Sequence, residues 1–71
     1  MEEVNGTLED WLYDKNFGVV WGYIYGDTKG RFPDGTHIHT SSIKPTGKLV
    51  EGFVVTTRNS SYKLGKPLKI N

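Results

Sequence analysis

The chain has 71 residues, with nine Lys and Arg against eight Asp and Glu, two histidines and no cysteine. That length holds one domain with one modest core. The lack of cysteine excludes a disulfide, a thiolate zinc site and a cysteine nucleophile, and an unstapled domain this small is expected to self-associate.

No apolar run approaches the length of a membrane span, and the acidic start Met1 to Gly6 is unlike a signal peptide. The expectation is a soluble protein of the cytoplasm, with the sequons at Asn5 and Asn59 accidental. The net charge of +1 hides an asymmetry. Residues 1–14 carry Glu2, Glu3, Glu9, Asp10 and Asp14 and no base, whereas residues 15–71 carry all nine Lys and Arg against Asp27, Asp34 and Glu51. The basic body suits a phosphate-bearing partner or is only a solubilising scatter of lysines. Its charge density is too low for an obligate binder of duplex DNA.

In chain order, Thr7 to Tyr13 reads as a short helix capped by Thr7, with Leu8, Trp11 and Leu12 at i, i+3 and i+4. Val19 to Tyr25 reads as a strand with Val20, Gly22 and Ile24 on one face and Trp21, Tyr23 and Tyr25 on the other. Pro33-Asp34-Gly35 is a turn signal. Thr36 to Ile43 is a second strand whose two isoleucines fall on opposite parities, which predicts a bulge or an edge position. Pro45-Thr46-Gly47 turns the chain, and Leu49 to Thr57 is the strongest strand by propensity. Arg58-Asn59 makes a tight turn into a returning strand, Ser60 to Leu64, with Tyr62 and Leu64 on one face. The expected architecture is mainly β: a small antiparallel meander or SH3-like barrel of four to five strands with one short N-terminal helix. Residues 1–71 form a single domain, of which 1–16 is an acidic N-terminal segment bearing the helix and 17–71 the β body.

Catalytic and metal chemistries find little support. His37 and His39 share a strand face and could join Asp34 in a metal site, but Asp34 reads as a turn former and there is no third histidine. No G-x-S-x-G elbow or phosphate-loop pattern is present, so no enzyme, metal or cofactor is expected. What remains is a recognition set. Trp21, Tyr23 and Tyr25 can stack bases or form a core or subunit interface. Arg31 and Arg58, the two arginines, each sit beside a turn rich in small polar groups, where a guanidinium fork suits phosphate. Thr40, Ser41, Ser42, Asn59 and Ser60 add hydrogen-bonding groups, although asparagine and serine are also ordinary turn residues.

Two segments carry a family resemblance. Gly30-Arg31-Phe32-Pro33-Asp34-Gly35-Thr36-x-Ile38-x-Thr40-Ser41-x-Ile43 precedes Val55-x-Thr57-x-Asn59-Ser60-x-Tyr62-x-Leu64-Gly65, and Tyr23-x-Tyr25-Gly26 leads into the first. Together, over roughly residues 19–65, they resemble a group of small phage and prophage proteins similar to the anti-CBASS sponges. The resemblance implies a homo-oligomeric trap in the host cytoplasm that sequesters cyclic oligonucleotide second messengers, such as cyclic dinucleotides, without cleaving them. Individual ligand contacts are not carried over from the group. By position within the matching segments and by chemistry, Arg31 and Arg58 are expected to hold phosphates, Thr40, Ser41, Asn59 and Ser60 to exchange hydrogen bonds, and Tyr62 or Tyr23 to border a base. The alternatives are a small barrel that binds single-stranded nucleic acid, and an inhibitor that docks on a host protein through Trp11 and the acidic patch.

Overall fold

The computed structural model describes residues 4–43, 49–58 and 60–68; Asn59 and the Pro45-Thr46-Gly47 turn lie outside these. Five strands, β1 (Thr7–Asp14), β2 (Val19–Tyr25), β3 (Thr36–His39), β4 (Val54–Thr56) and β5 (Ser61–Leu64), form one sheet in the order β3-β2-β1-β5-β4. The β1–β2, β2–β3 and β4–β5 pairs are antiparallel, but β1 and β5 run parallel. The sheet is therefore mixed rather than an antiparallel meander. Among the described residues β3 and β4 are its two ends, so the order is that of an open sheet and not a closed barrel.

The expected N-terminal helix is a strand, and it occupies the centre of the sheet. The physical reason is a bulge. Glu9 faces Tyr23 and Leu12 faces Trp21, so Asp10 and Trp11 together oppose the single residue Gly22. Asp10 turns through a left-handed conformation with φ of 49°, which for a non-glycine residue costs roughly 1–2 kcal/mol. The extra residue re-phases the strand, so that Leu8 and Trp11, three apart, both enter the core while Leu12 is turned outward. A bulge at this point reproduces the i, i+3 spacing of an amphipathic helix, and β-pairing decides which backbone forms. Trp11, expected to lead a docking helix, is buried instead: its Nε1–H donates to Gly65 O at 2.8 Å, and its carbonyl accepts from Leu68 N at 2.9 Å.

The core lies on one face of the sheet. Leu8, Val20, Ile24 and Leu64 are fully buried, each contributing about 1.5–3 kcal/mol by leaving water. Trp11, Ile38, Val55 and Tyr62 complete the sheet's share, while Ile43, Phe32, Leu49 and Phe53 close over it from the loops. β3 is an edge strand that ends at His39, so Ile43 reaches the core from a loop, tied by its N–H to Gly18 O at 2.7 Å. Propensity overran the fourth strand. Gly52, at φ of 89°, turns the chain ahead of β4, leaving only Val54–Thr56 extended.

Gly22 is where the bulge and the core meet. A Cβ there would lie 3.1 Å from Leu8 Cβ, 3.3 Å from Trp11 Cβ and 3.3 Å from Glu9 O, contacts that neighbouring backbone and Cβ atoms cannot readily yield. Gly22→Ala is expected to destabilise the protein by about 1–3 kcal/mol through overpacking. Urea unfolding monitored by tryptophan fluorescence checks this, and an unchanged midpoint would contradict the packing described.

Candidate functional site

The loop after β2 is built on one carboxylate. Asp27 Oδ2 accepts from Arg31 N at 2.8 Å and Phe32 N at 3.0 Å, and Oδ1 accepts from Lys29 N at 3.2 Å. Gly30, at φ of 65°, permits the tight course between them. The loop's exit is fixed by Asp34, which accepts from Gly26 N at 2.8 Å, and by Gly35 at φ of 86°. Both aspartates thus act as turn formers, consistent with the Pro33-Asp34-Gly35 signal.

Asn5 brings this loop against β5. Its Nδ2 donates to Thr28 Oγ1 at 3.2 Å, its Oδ1 accepts from Ser61 N at 2.9 Å, and its backbone exchanges bonds with Thr28 N and Ser61 O at 2.9 and 2.7 Å. On the β5 side, the turn that contains Arg58 is closed by Thr57 N donating to Ser60 O at 2.7 Å and by Ser60 N donating to Thr57 Oγ1 at 3.1 Å.

Where loop and strand meet, four side chains converge. Arg31 Nη2 donates to Tyr62 Oη at 3.0 Å and to Ser60 Oγ at 3.4 Å, while Lys29 Nζ donates to Ser60 Oγ at 2.9 Å. The guanidinium is steadied by the Phe32 ring, 5.3 Å from its centroid, and by Asp27 Oδ2 at 4.0 Å. Arg31 remains 42% exposed while the Asp27 side chain beneath it is fully covered. Among the described residues two cations therefore meet one anion, and that anion is already bonded to three backbone amides. Because the Ser60 and Tyr62 hydroxyls accept these bonds, their own protons remain available to donate to an incoming anion. Cations beside hydroxyls that keep a proton to donate suit a phosphate or phosphodiester.

The structure thus unites Arg31, Ser60 and Tyr62 of the sequence candidates. Arg58 is exposed in the adjoining turn, and Asn59 lies outside the described residues. The remaining candidates lie elsewhere. Thr40 is buried near the far end of β2, its Oγ1 accepting from Val20 N at 3.1 Å and donating to Ser41 O at 2.8 Å. That hydroxyl is committed to the fold, a constraint its neighbour Ser41, exposed, does not share. Tyr23 projects from the outer face of the sheet, opposite Tyr62, and packs on His37 at 4.8 Å between ring centroids. His37 and His39 both lie against Trp21, at 5.6 and 4.6 Å, and no group of three metal-ligating side chains occurs among the described residues. Lys29 and Asn5 escaped the sequence reading as members of this site. Aspartate two residues before a Lys-Gly pair signals a side-chain-closed turn for Asp27; for Asn5 no local signal exists, since its partners lie far along the chain.

Asp27 sets a pH dependence. Burial of its carboxyl acts to raise the pKa, but the amides of Arg31, Lys29 and Phe32 and the charge of Arg31 outweigh it, and the net shift is downward from 3.8. A carboxylate depressed on folding adds stability that is fully present above its unfolded value and lost as pH falls through its folded one. The Arg31 and Phe32 amide resonances are therefore expected to hold position down to about pH 4 and to shift together below it, with Asp27→Asn abolishing the transition. Titration by nuclear magnetic resonance checks this; a transition well above pH 4 would contradict the assignment. No protein-family model, curated protein or solved structure matches the chain.

Proposed function

We propose that this protein is a binding module for cyclic oligonucleotide second messengers, such as cyclic dinucleotides, which it sequesters as a phage-encoded sponge in the host cytoplasm. The observation that carries the reading is the convergence of Lys29 and Arg31 on the Ser60 and Tyr62 hydroxyls. This cluster joins the two segments on which the resemblance to anti-CBASS sponges rests. One phosphodiester would accept from Arg31, Lys29 and the two hydroxyls, with Arg58 reaching it from the neighbouring turn. Sequestration requires affinity rather than bond cleavage, and none of these groups is asked to act as nucleophile or base. One protomer of this size encloses only part of a ligand with two phosphates and two bases. A second copy of the chain, supplying a second cradle, would complete the site, which makes the sponge a homo-oligomer.

A second reading draws on the outer face. Trp21, Tyr23 and Tyr25 do not enter the core; the two tyrosines are 40% and 44% exposed, as a stacking platform for single-stranded nucleic acid requires. Asp10 and Asp14 border that platform, and carboxylates beside a phosphate backbone oppose binding. The cyclic-nucleotide reading is therefore preferred.

Calorimetry against a panel of cyclic di- and trinucleotides is expected to show binding to at least one. Arg31→Ala is expected to weaken it by ten- to a hundredfold, matching the loss of a charged hydrogen-bonding partner of about 1.5–3 kcal/mol. Absence of heat with every cyclic nucleotide, from folded protein, would overturn the proposal. Affinity instead for linear oligonucleotides, falling steeply with salt, would favour the second reading.

A further inference from the structure

The face of the sheet turned away from the core carries a groove that the cyclic-nucleotide reading does not use. The register sets Trp21 opposite Leu12 on β1 and His39 on β3, and sets Tyr23 opposite His37. These side chains all stand on the outer face, and β1 continues past them into the Asp14–Gly18 turn. Between them lies an open groove of about 520 Å³, walled by Trp21, Tyr23, His37 and Leu12 and bordered by Asp10 and Asp14. Lys15 is the one lysine or arginine among its described lining residues.

Two features determine what such a groove accepts. The first is charge: among the described lining residues two carboxylates face one ammonium, in the stretch of chain that carries five acids before its first base. The Asp10 carboxylate makes no hydrogen bond or ion pair among the described residues, and Asp14 gives one oxygen to Asn16 N at 3.0 Å. The second is the bulge. Asp10 is the one described non-glycine residue with positive φ, and its displaced backbone places its side chain on the groove's border. Strained residues and bulges of this kind recur where a side chain is aimed at a binding site. Aromatic faces attract cations through their quadrupole, tryptophan most strongly, and neighbouring carboxylates add Coulombic attraction. Phosphate-bearing ligands are disfavoured by the same carboxylates.

We infer that this groove is a docking site for a basic side chain of a partner polypeptide, an arginine seated against Trp21 and Tyr23 with Asp10 and Asp14 as its counter-ions. Arginine fits better than lysine, because its planar guanidinium stacks on a ring while its edge donates to a carboxylate. The site lies on the opposite face of the sheet from the Arg31 cradle and is independent of it. Trp11 provides an internal control, since its indole is buried and bonded to Gly65 O.

Titration of the ¹⁵N-labelled protein with a blocked hexapeptide of alternating arginine and glycine tests this. The Trp21 indole resonance is expected to shift saturably, with the Trp11 indole unmoved. The matched glutamate peptide should give no shift, and the lysine peptide a weaker one. Asp10→Asn combined with Asp14→Asn is expected to weaken the response roughly tenfold, as two exposed ion pairs allow. Asparagine tolerates the left-handed backbone, so this variant folds. No Trp21 shift at millimolar arginine peptide, an equal response to the glutamate peptide, undiminished affinity in the double variant, or a saturable Trp21 shift with oligothymidine instead would each overturn the inference.

Discussion

Everything in this small sheet depends on one extra residue in its central strand. Asp10 adopts a left-handed conformation opposite Gly22, and the bulge lets both Leu8 and Trp11 enter the core from a single strand. Regular alternation would have turned Trp11 outward and lost both its burial and its indole bond to Gly65 O. The same bulge accounts for the glycine in β2, since a Cβ there would crowd the two side chains. It also lets residues 65–68 run on beside β1 after β5, through Trp11 paired with Pro67 and the Leu68 bond to Trp11 O. A strained backbone residue is repaid here by a large aromatic side chain buried at the centre of a domain with few others to bury.

The second consequence is a division of labour between faces. On the core side, β5 sends Tyr62 through the packed layer to meet the loop ordered by Asp27, and Asn5 clamps loop to strand. Two cations and two hydroxyls meet there over a covered carboxylate. On the other side the aromatic residues of β2 and the histidines of β3 lie open, beside the acids of β1. A cation-bearing cradle and an acid-bordered aromatic groove thus occupy opposite faces of one thin sheet. The near-neutral net charge conceals this local separation of Lys29 and Arg31 from Asp10 and Asp14.

Much of this was legible in the residues themselves. Val19–Tyr25 emerges with the expected bounds and facing, because β-branched and aromatic residues in strict alternation admit little else. The Pro33-Asp34-Gly35 turn forms where glycine alone tolerates the required φ, and the edge position of β3 follows from its irregular apolar pattern. β1 was misread because a bulge writes a helical period into a strand, and nothing local distinguishes the two until Gly22 is seen opposite. The parallel pairing of β1 with β5 was hidden for the same reason: a segment read as a helix has no place in a sheet. Within the candidate site, arginine beside a polar turn pointed to Arg31 and its counterpart near Ser60. Thr40 looked equivalent, but burial at the opposite end of β2 commits its hydroxyl to the backbone. Lys29 was indistinguishable in sequence from the other surface lysines, and only the path around Asp27 directs it at Ser60.

The central claim is that the Arg31 cradle retains a cyclic nucleotide and that assembly encloses it. Native mass spectrometry of the protein purified from cells making cyclic di- and trinucleotides addresses both parts at once. The account predicts a homo-oligomer carrying nucleotide in whole-number ratio to its subunits, with the bound mass lost in Arg31→Ala. Bare protein, purified alongside abundant cyclic nucleotide, would contradict it.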